Sequence, residues 1–302
     1  MSFFALLLVL TAACCHATWN YHLKKANCGR AIWWLVYLLT SVITIPLLLL
    51  WDPQALTRIT PTGWFVILIS APIHVVYALV LQIGYKKSDY SIVYPTARGA
   101  GPLITVLSAV VILGDAPSLT GWCGIFAILA GVVLLTLRTD KGADLSRVHT
   151  GIFWGLLTGV CIAGYSFCDA WAVQRDTGLT PASFYFPSIV VRAIVMTPFM
   201  LAMKDWREQV RSIWKNPVSR RALWVVTVGS PGGYILVLCA MTMAPLAYVA
   251  PTREVGMMVG VIVGAILLKE HLSLAPLRTD FFFSNRLFVR SSQEAKVGGR
   301  MC

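Results

Sequence analysis

Charge is scarce in this sequence. Of 302 residues, 13% are Asp, Glu, Lys or Arg, about half the share of a soluble domain. Hydrophobic residues make up 57%, and a core large enough to hide them would leave almost no polar skin. That excludes an ordinary water-soluble globule. No CxxC pair occurs among the eight cysteines, and Cys14, Cys15, Cys123, Cys161, Cys168 and Cys239 fall inside apolar runs. A disulfide framework and a metal site are therefore not expected. There is no HExxH or GxSxG motif, and acidic residues within the apolar runs are too few to cluster, which argues against a membrane enzyme. No GxxxxGK followed by Ser or Thr occurs, which argues against ATP hydrolysis by this chain alone. No cofactor is expected. Alternating ten-residue strands are also missing, so a barrel is excluded.

What is present is a series of long apolar runs. A helix needs about 20 apolar residues to cross a bilayer. Candidate spans lie at about 3–21, 31–51, 63–84, 91–113, 119–137, 151–173, 182–203, 222–243 and 246–268. The first run is expected to be a retained span, because it lacks the positive n-region of a signal peptide. Trp33, Trp34, Trp51, Trp64, Trp122 and Trp224 lie near span ends, as aromatic belts do. The longest loop, "KDWREQVRSIWKNPVSRR" at 204–221, separates spans seven and eight. The fold class expected is an all-α integral membrane protein with nine spans.

Basic residues are sorted between the loops. Those after spans one, three, five and seven hold fourteen Lys and Arg, while those after spans two, four, six and eight hold only Arg58 and Arg175. Cytoplasmic loops carry such an excess. The amino terminus is therefore expected outside, in a cytoplasmic (inner) membrane. The same sorting accounts for much of the net charge of +12 without a nucleic-acid partner. Expected partners are the lipid bilayer and a small-molecule substrate, with a homodimer left open.

The chain also repeats itself. "VYPTARGAGPLITVLSAVVILGDAPSL" at 93–119 answers "VAPTREVGMMVGVIVGAILLKEHLSL" at 249–274, pairing Arg98 with Arg253, Gly101 with Gly256 and Asp115 with Glu270. "YALVL" at 77–81 answers "YILVL" at 234–238. A five-span unit is odd-numbered, so two copies in series have opposite orientation, the layout of many secondary transporters. "HATWNYHLKK" in span one, residues 89–135 in spans four and five, and "APLAYVAPTREVGMMVGVIVGAILLKEHLS" resemble the EamA-type drug/metabolite transporter family. The resemblance covers about residues 1–275. It implies two five-helix units around a central cavity, moving small metabolites by alternating access. Two features depart from the family pattern: a tenth span is missing after Ser273, and the charge count places the amino terminus outside. The expected division is a first unit at 1–138, a cytoplasmic linker at 139–150, a truncated second unit at 151–275 and a basic tail at 276–302. The expected function is secondary transport, by efflux or exchange, of a small polar or anionic metabolite. The alternative is a non-transporting remnant of such a transporter.

Tyrosine and cysteine aside, seven ionisable or imidazole side chains fall within the spans: His16, His74, Arg98, Asp169, Arg192, Arg253 and Glu254. Such residues face a bundle interior or a wet cavity and are functional candidates by default. Arg98 and Arg253, with Trp19, Asn20, Tyr94 and Tyr165, are the candidate substrate-binding residues. Asp169, His16 and Glu254 are the candidate proton carriers. The structural alternative pairs Asp169 with an arginine, and leaves His16 simply hydrogen-bonded. Arg192 reads as structural, since its repeat partner is Thr40. Gly256, Gly260 and Gly264 share one helical face, as do Arg98, Gly101, Thr105 and Ser108. Spans four and nine are expected to pack through these small residues, with Arg98 and Arg253 toward opposite mouths of the cavity.

The loop asymmetry predicts that loop 204–221 and the carboxy-terminal tail lie in the cytoplasm. A cysteine placed at Ser212, in a chain stripped of its native cysteines, should escape an impermeant thiol reagent applied to intact cells. Labelling there would overturn the orientation.

Overall fold

The computed structural model describes residues 1–26, 31–136 and 145–254. Gly256, Gly260, Gly264, the remainder of the ninth expected span and the tail at 276–302 lie outside the described residues. All regular elements among the described residues are helices. They are α1 (Phe3–Ala26), α2 (Ala31–Trp51), α3 (Pro61–Lys87), α4 (Tyr90–Ser108), α5 (Leu119–Thr136), α6 (Leu145–Gln174), α7 (Pro181–Leu201), α8 (Trp206–Lys215) and α9 (Pro217–Met243). A further helical segment covers 246–254. Seven of these helices are long and apolar enough to cross a membrane, and α5 adds a shorter apolar stretch at Leu119–Ala130. The lipid-side surface is apolar: Val42, Leu50, Val111, Leu119 and Val228 are all exposed. Lipid, not water, tolerates that skin.

Three helices start the same way. Thr60, Thr180 and Asn216 stand in extended backbone, each followed by Pro at the first helical position, and their side chains accept from Gly63, Ser183 and Val218 N–H. Pro lacks the N–H that would be orphaned there, and the cap satisfies another. These polar first turns carry α3 and α9 a few residues beyond their apolar runs. α6 likewise starts at Leu145, inside the stretch expected as linker at 139–150.

The stretch expected as a loop at 204–221 is largely helical, which corrects the sequence reading. Trp206, Val210 and Ile213 recur at helical spacing. Ile213 is buried, and Trp206 and Val210 pack against a cluster formed by Ala31, Ile32, Leu35 and Leu223. A helix so short and so charged on its other face lies along the interface rather than crossing. Gln209 of α8 accepts from Ala31 N–H at 3.2 Å, which caps α2.

Hydrogen bonds sort the loops into two ends. At one end Gln209 meets the start of α2, and the Ser88 hydroxyl donates to Arg147 O at 2.6 Å. At the other, Thr60 N–H and its hydroxyl both donate to Thr177 O, at 3.1 and 2.9 Å. Asp115 accepts from Ala247 N–H at 2.9 Å, and Tyr248 accepts from Ser118 N–H at 3.0 Å. The loops rich in Lys and Arg and the loops poor in them thus occupy opposite ends.

α4 and α6 pack closely along their length. Gly151, Gly155 and Gly159 step by four along α6 and face Ile92, Thr96 and Ala100 of α4. A Cβ at Gly155 would lie 2.5 Å from Thr96 Cβ and 2.9 Å from Val93 O. Small residues at this spacing let helix backbones approach, which drives association where lipid removes the hydrophobic incentive. Gly101 belongs to the same seam: its Cα faces Ile162 of α6, with contacts of 3.0–3.1 Å at the Cβ position. The expected partner of Gly101 was span nine. The small residues of that span, Gly256, Gly260 and Gly264, lie outside the described residues; α6 presents small residues of its own that allow α4 to come close. After Ser108 the helix widens into one π turn, Ala109–Leu113, and stops at Gly114 with φ 80°.

Gly155→Ala should push α4 from α6 and lower stability by about 1–3 kcal/mol, read as a drop in thermal midpoint in detergent. Gly232→Ala on α9, where a Cβ meets nothing within 4 Å, should be neutral or slightly stabilising. Equal behaviour of the two variants would remove the seam argument.

Candidate functional site

Asp169 is the centre of the polar interior. It sits on α6 with 0% of its surface exposed. An ionised carboxylate only accepts hydrogen bonds, and three donors on two other helices meet it. Ser70 and His74, four apart on α3, present one face. The Ser70 hydroxyl donates to Oδ1, and His74 Nε2 lies 3.0 Å from Oδ2. The Tyr234 hydroxyl, on α9, also donates to Oδ2. With Oδ2 accepting, the His74 proton belongs on Nε2. The imidazole stacks on Tyr165 at 3.9 Å between centroids and meets Tyr234 edge-on at 5.7 Å.

The two repeat-related arginines border this centre. Arg98 Nη1 pairs with Glu254 Oε1 at 3.4 Å, and its guanidinium lies over the Tyr94 ring at 5.3 Å. Arg253 Nη2 donates to the Tyr165 hydroxyl at 3.5 Å. Tyr77 meets Tyr165 edge-on at 5.6 Å. On the far side of Tyr234, the Arg192 guanidinium stands over the rings of Tyr185 and Tyr234, at 5.5 and 5.9 Å. A continuous run of contacts therefore goes from Arg253 through Tyr165, His74, Asp169 and Tyr234 to Arg192. The arrangement can hold charge and can pass a proton between a carboxylate and an imidazole.

Two expectations from the sequence are corrected here. Arg98 and Arg253 do not stand at opposite mouths. Arg98 pairs with Glu254, the neighbour of Arg253 in sequence, and Arg253 reaches Tyr165 on α6, the helix on which α4 packs. Asp169 takes its hydrogen bonds from Ser70, His74 and Tyr234 rather than from an arginine. The carboxylate that neutralises Arg98 is Glu254, which is therefore an ion-pair partner as well as a candidate proton carrier.

The other expected residues divide. Tyr94 and Tyr165 belong to the cluster. His16, on α1, borders it and meets Trp19 edge-on at 4.4 Å. Trp19 is buried in the apolar cluster with Ile32, Leu35 and Leu223, and reaches Trp33 at 5.6 Å. Asn20 lies on α1, and its side chain lies outside what is described. The sequence reading named His74 among the ionisable residues of the spans without giving it a role, offered Tyr234 only as a lining of an aromatic cavity, and left Ser70 out of the site. Their signal was there: Ser70 and His74 on α3 match the four-residue spacing of Tyr165 and Asp169 on α6.

Residues 3–137 match the EamA-like transporter family. No curated protein matches the sequence. Among solved structures, one described as the crystal structure of a protein superposes with a TM-score of 0.70 at 14% identity, over 87% of this chain and 88% of its own. At that identity the likeness concerns the fold. With seven helices apolar and long enough to span, the chain is a multi-pass membrane protein that carries the EamA-like transporter pattern over residues 3–137, consistent with membership of the drug/metabolite transporters.

Proposed function

We propose that this protein is a secondary transporter of a small polar or anionic metabolite in the cytoplasmic membrane, working by alternating access. The observation that carries this reading is the buried run from Arg253 to Arg192, centred on Asp169. Packing alone has no use for so many ionisable groups at membrane depth, where each is expensive. Asp169 with His74 is the proton-coupling pair, and Tyr94, Tyr165 and Arg253 line the solute path. A polytopic enzyme is disfavoured by the lack of any clustered acid or metal motif.

An inverted repeat of five-helix units supports the same reading. The starts of α3 and α9, Thr60–Pro61 and Asn216–Pro217, are built alike. They are separated by nearly the shift that pairs Arg98 with Arg253. α1 packs on α9 and α6 packs on α3, which is the exchange a two-fold between the units produces. The basic end, with α8, is assigned to the cytoplasm.

The test is transport in proteoliposomes carrying an internal pH dye, challenged with a panel of small carboxylates and amines. Wild-type protein should move protons with at least one of them. Asp169→Asn should abolish pH-driven uptake while leaving counterflow exchange largely intact. His16→Gln is the comparison for the other imidazole at the cluster. Unchanged pH-driven uptake in Asp169→Asn would remove Asp169 from coupling. No flux for any solute in the wild type would favour the non-transporting remnant.

A further inference from the structure

Charge does not balance inside the membrane. Among the described residues, the spans hold two buried carboxylates, Asp169 and Glu254, against three guanidinium groups, of which Arg192 is buried and Arg98 and Arg253 are partly buried. Glu254 is taken by Arg98. Asp169 is taken by neutral donors and His74. Among these residues Arg192 and Arg253 are left without a carboxylate; Arg253 is partly buried and donates to the Tyr165 hydroxyl, so the deeper of the two is Arg192. It is 4% exposed, on α7. Its Nη2 donates to the Ser188 hydroxyl at 3.3 Å, and its Nε is buried without a hydrogen-bond partner among the described residues. Two tyrosine faces, Tyr185 and Tyr234, hold the cation, but a ring face accepts no N–H in the plane of the fork. A buried guanidinium with an unused in-plane donor matches the planar, two-oxygen geometry of a carboxylate.

We propose that Arg192 anchors an anionic group of the transported solute, a carboxylate in the first instance, with Ser188 and the Tyr185 and Tyr234 rings framing it. The anchor is then Arg192 and not Arg98, whose charge Glu254 already neutralises. A bound monoanion brings the cluster to charge balance. It also places the solute one tyrosine ring from Asp169, since Tyr234 touches both. Arg192 thereby carries specificity for the sign of the solute, while Asp169 carries coupling. This rests on the transport reading for its meaning but not for its test.

The test is binding to the full chain in detergent, using propionate and its uncharged isostere propionamide at constant ionic strength. Propionate should raise the thermal midpoint in a saturable way, and propionamide should not. Arg192→Gln should weaken the apparent affinity for propionate at least tenfold. Arg192→Lys guards against misfolding: it keeps the charge, loses the fork, and should bind several-fold more weakly with a midpoint near that of the wild type. Wild-type propionate affinity in Arg192→Lys, together with a depressed midpoint in Arg192→Gln, would mark Arg192 as packing and overturn the proposal. So would loss of the shift in Arg98→Gln/Glu254→Gln with its retention in Arg192→Gln. A wild-type protein that moves protons in liposomes yet shows no propionate-specific shift overturns the anchor and leaves transport standing. One that shows the shift but moves no solute overturns transport and leaves the anchor.

Discussion

One carboxylate organises the interior. Asp169 is fully buried, and an uncompensated buried charge destabilises by several kcal/mol. Its neighbours must therefore bring donors to it, and they come from two different helices. Ser70 and His74 fix the rotation of α3, and Tyr234 fixes that of α9. Once these three are set, Tyr165 is clamped against His74, and Arg253 is within reach of the Tyr165 hydroxyl. The rest of the polar cluster follows from satisfying that single group.

The apolar frame serves this centre by letting helices come close. Lipid tails are as apolar as leucine, so hydrophobicity does not pull the helices together. Backbone proximity does, and the seam of Gly151, Gly155 and Gly159 supplies it for α4 and α6. Because α4 lies tight on α6, Arg98 is brought beside the 246–254 segment and finds Glu254. A wider crossing would leave that guanidinium facing lipid. Packing and charge placement are thus one problem, solved by the same few glycines.

Much of this was legible in the sequence, and the gaps have physical causes. Helix positions follow apolar run length, because the bilayer sets a minimum span. The ends were misjudged at α3, α6 and α9, where polar caps and first turns extend each helix beyond its apolar run. α8 was read as loop because its charge hides three apolar residues at helical spacing. Asp169, Arg98 and Arg253 were found because an ionisable residue in an apolar run is rare. Their partners were not, since pairing depends on how far each helix is rotated and tilted, which local spacing does not encode. The repeat pattern set Arg98 against Arg253 in sequence but said nothing of Glu254, the neighbour of Arg253 in sequence that becomes the partner of Arg98 in space. The α6 glycines were visible all along.

The join between Thr60 and Thr177 is of a different kind from the interior. There a single carbonyl accepts an amide and a hydroxyl, neither of which titrates or carries charge. Such bonds contribute on the order of 1 kcal/mol each, and their strength is unaffected by acidity and only weakly by dissolved ions. The interior, held by His74, Asp169, Glu254 and three arginines, responds to both. The Thr60–Thr177 fastening therefore keeps the same strength across a change of acidity that alters the charge of the centre.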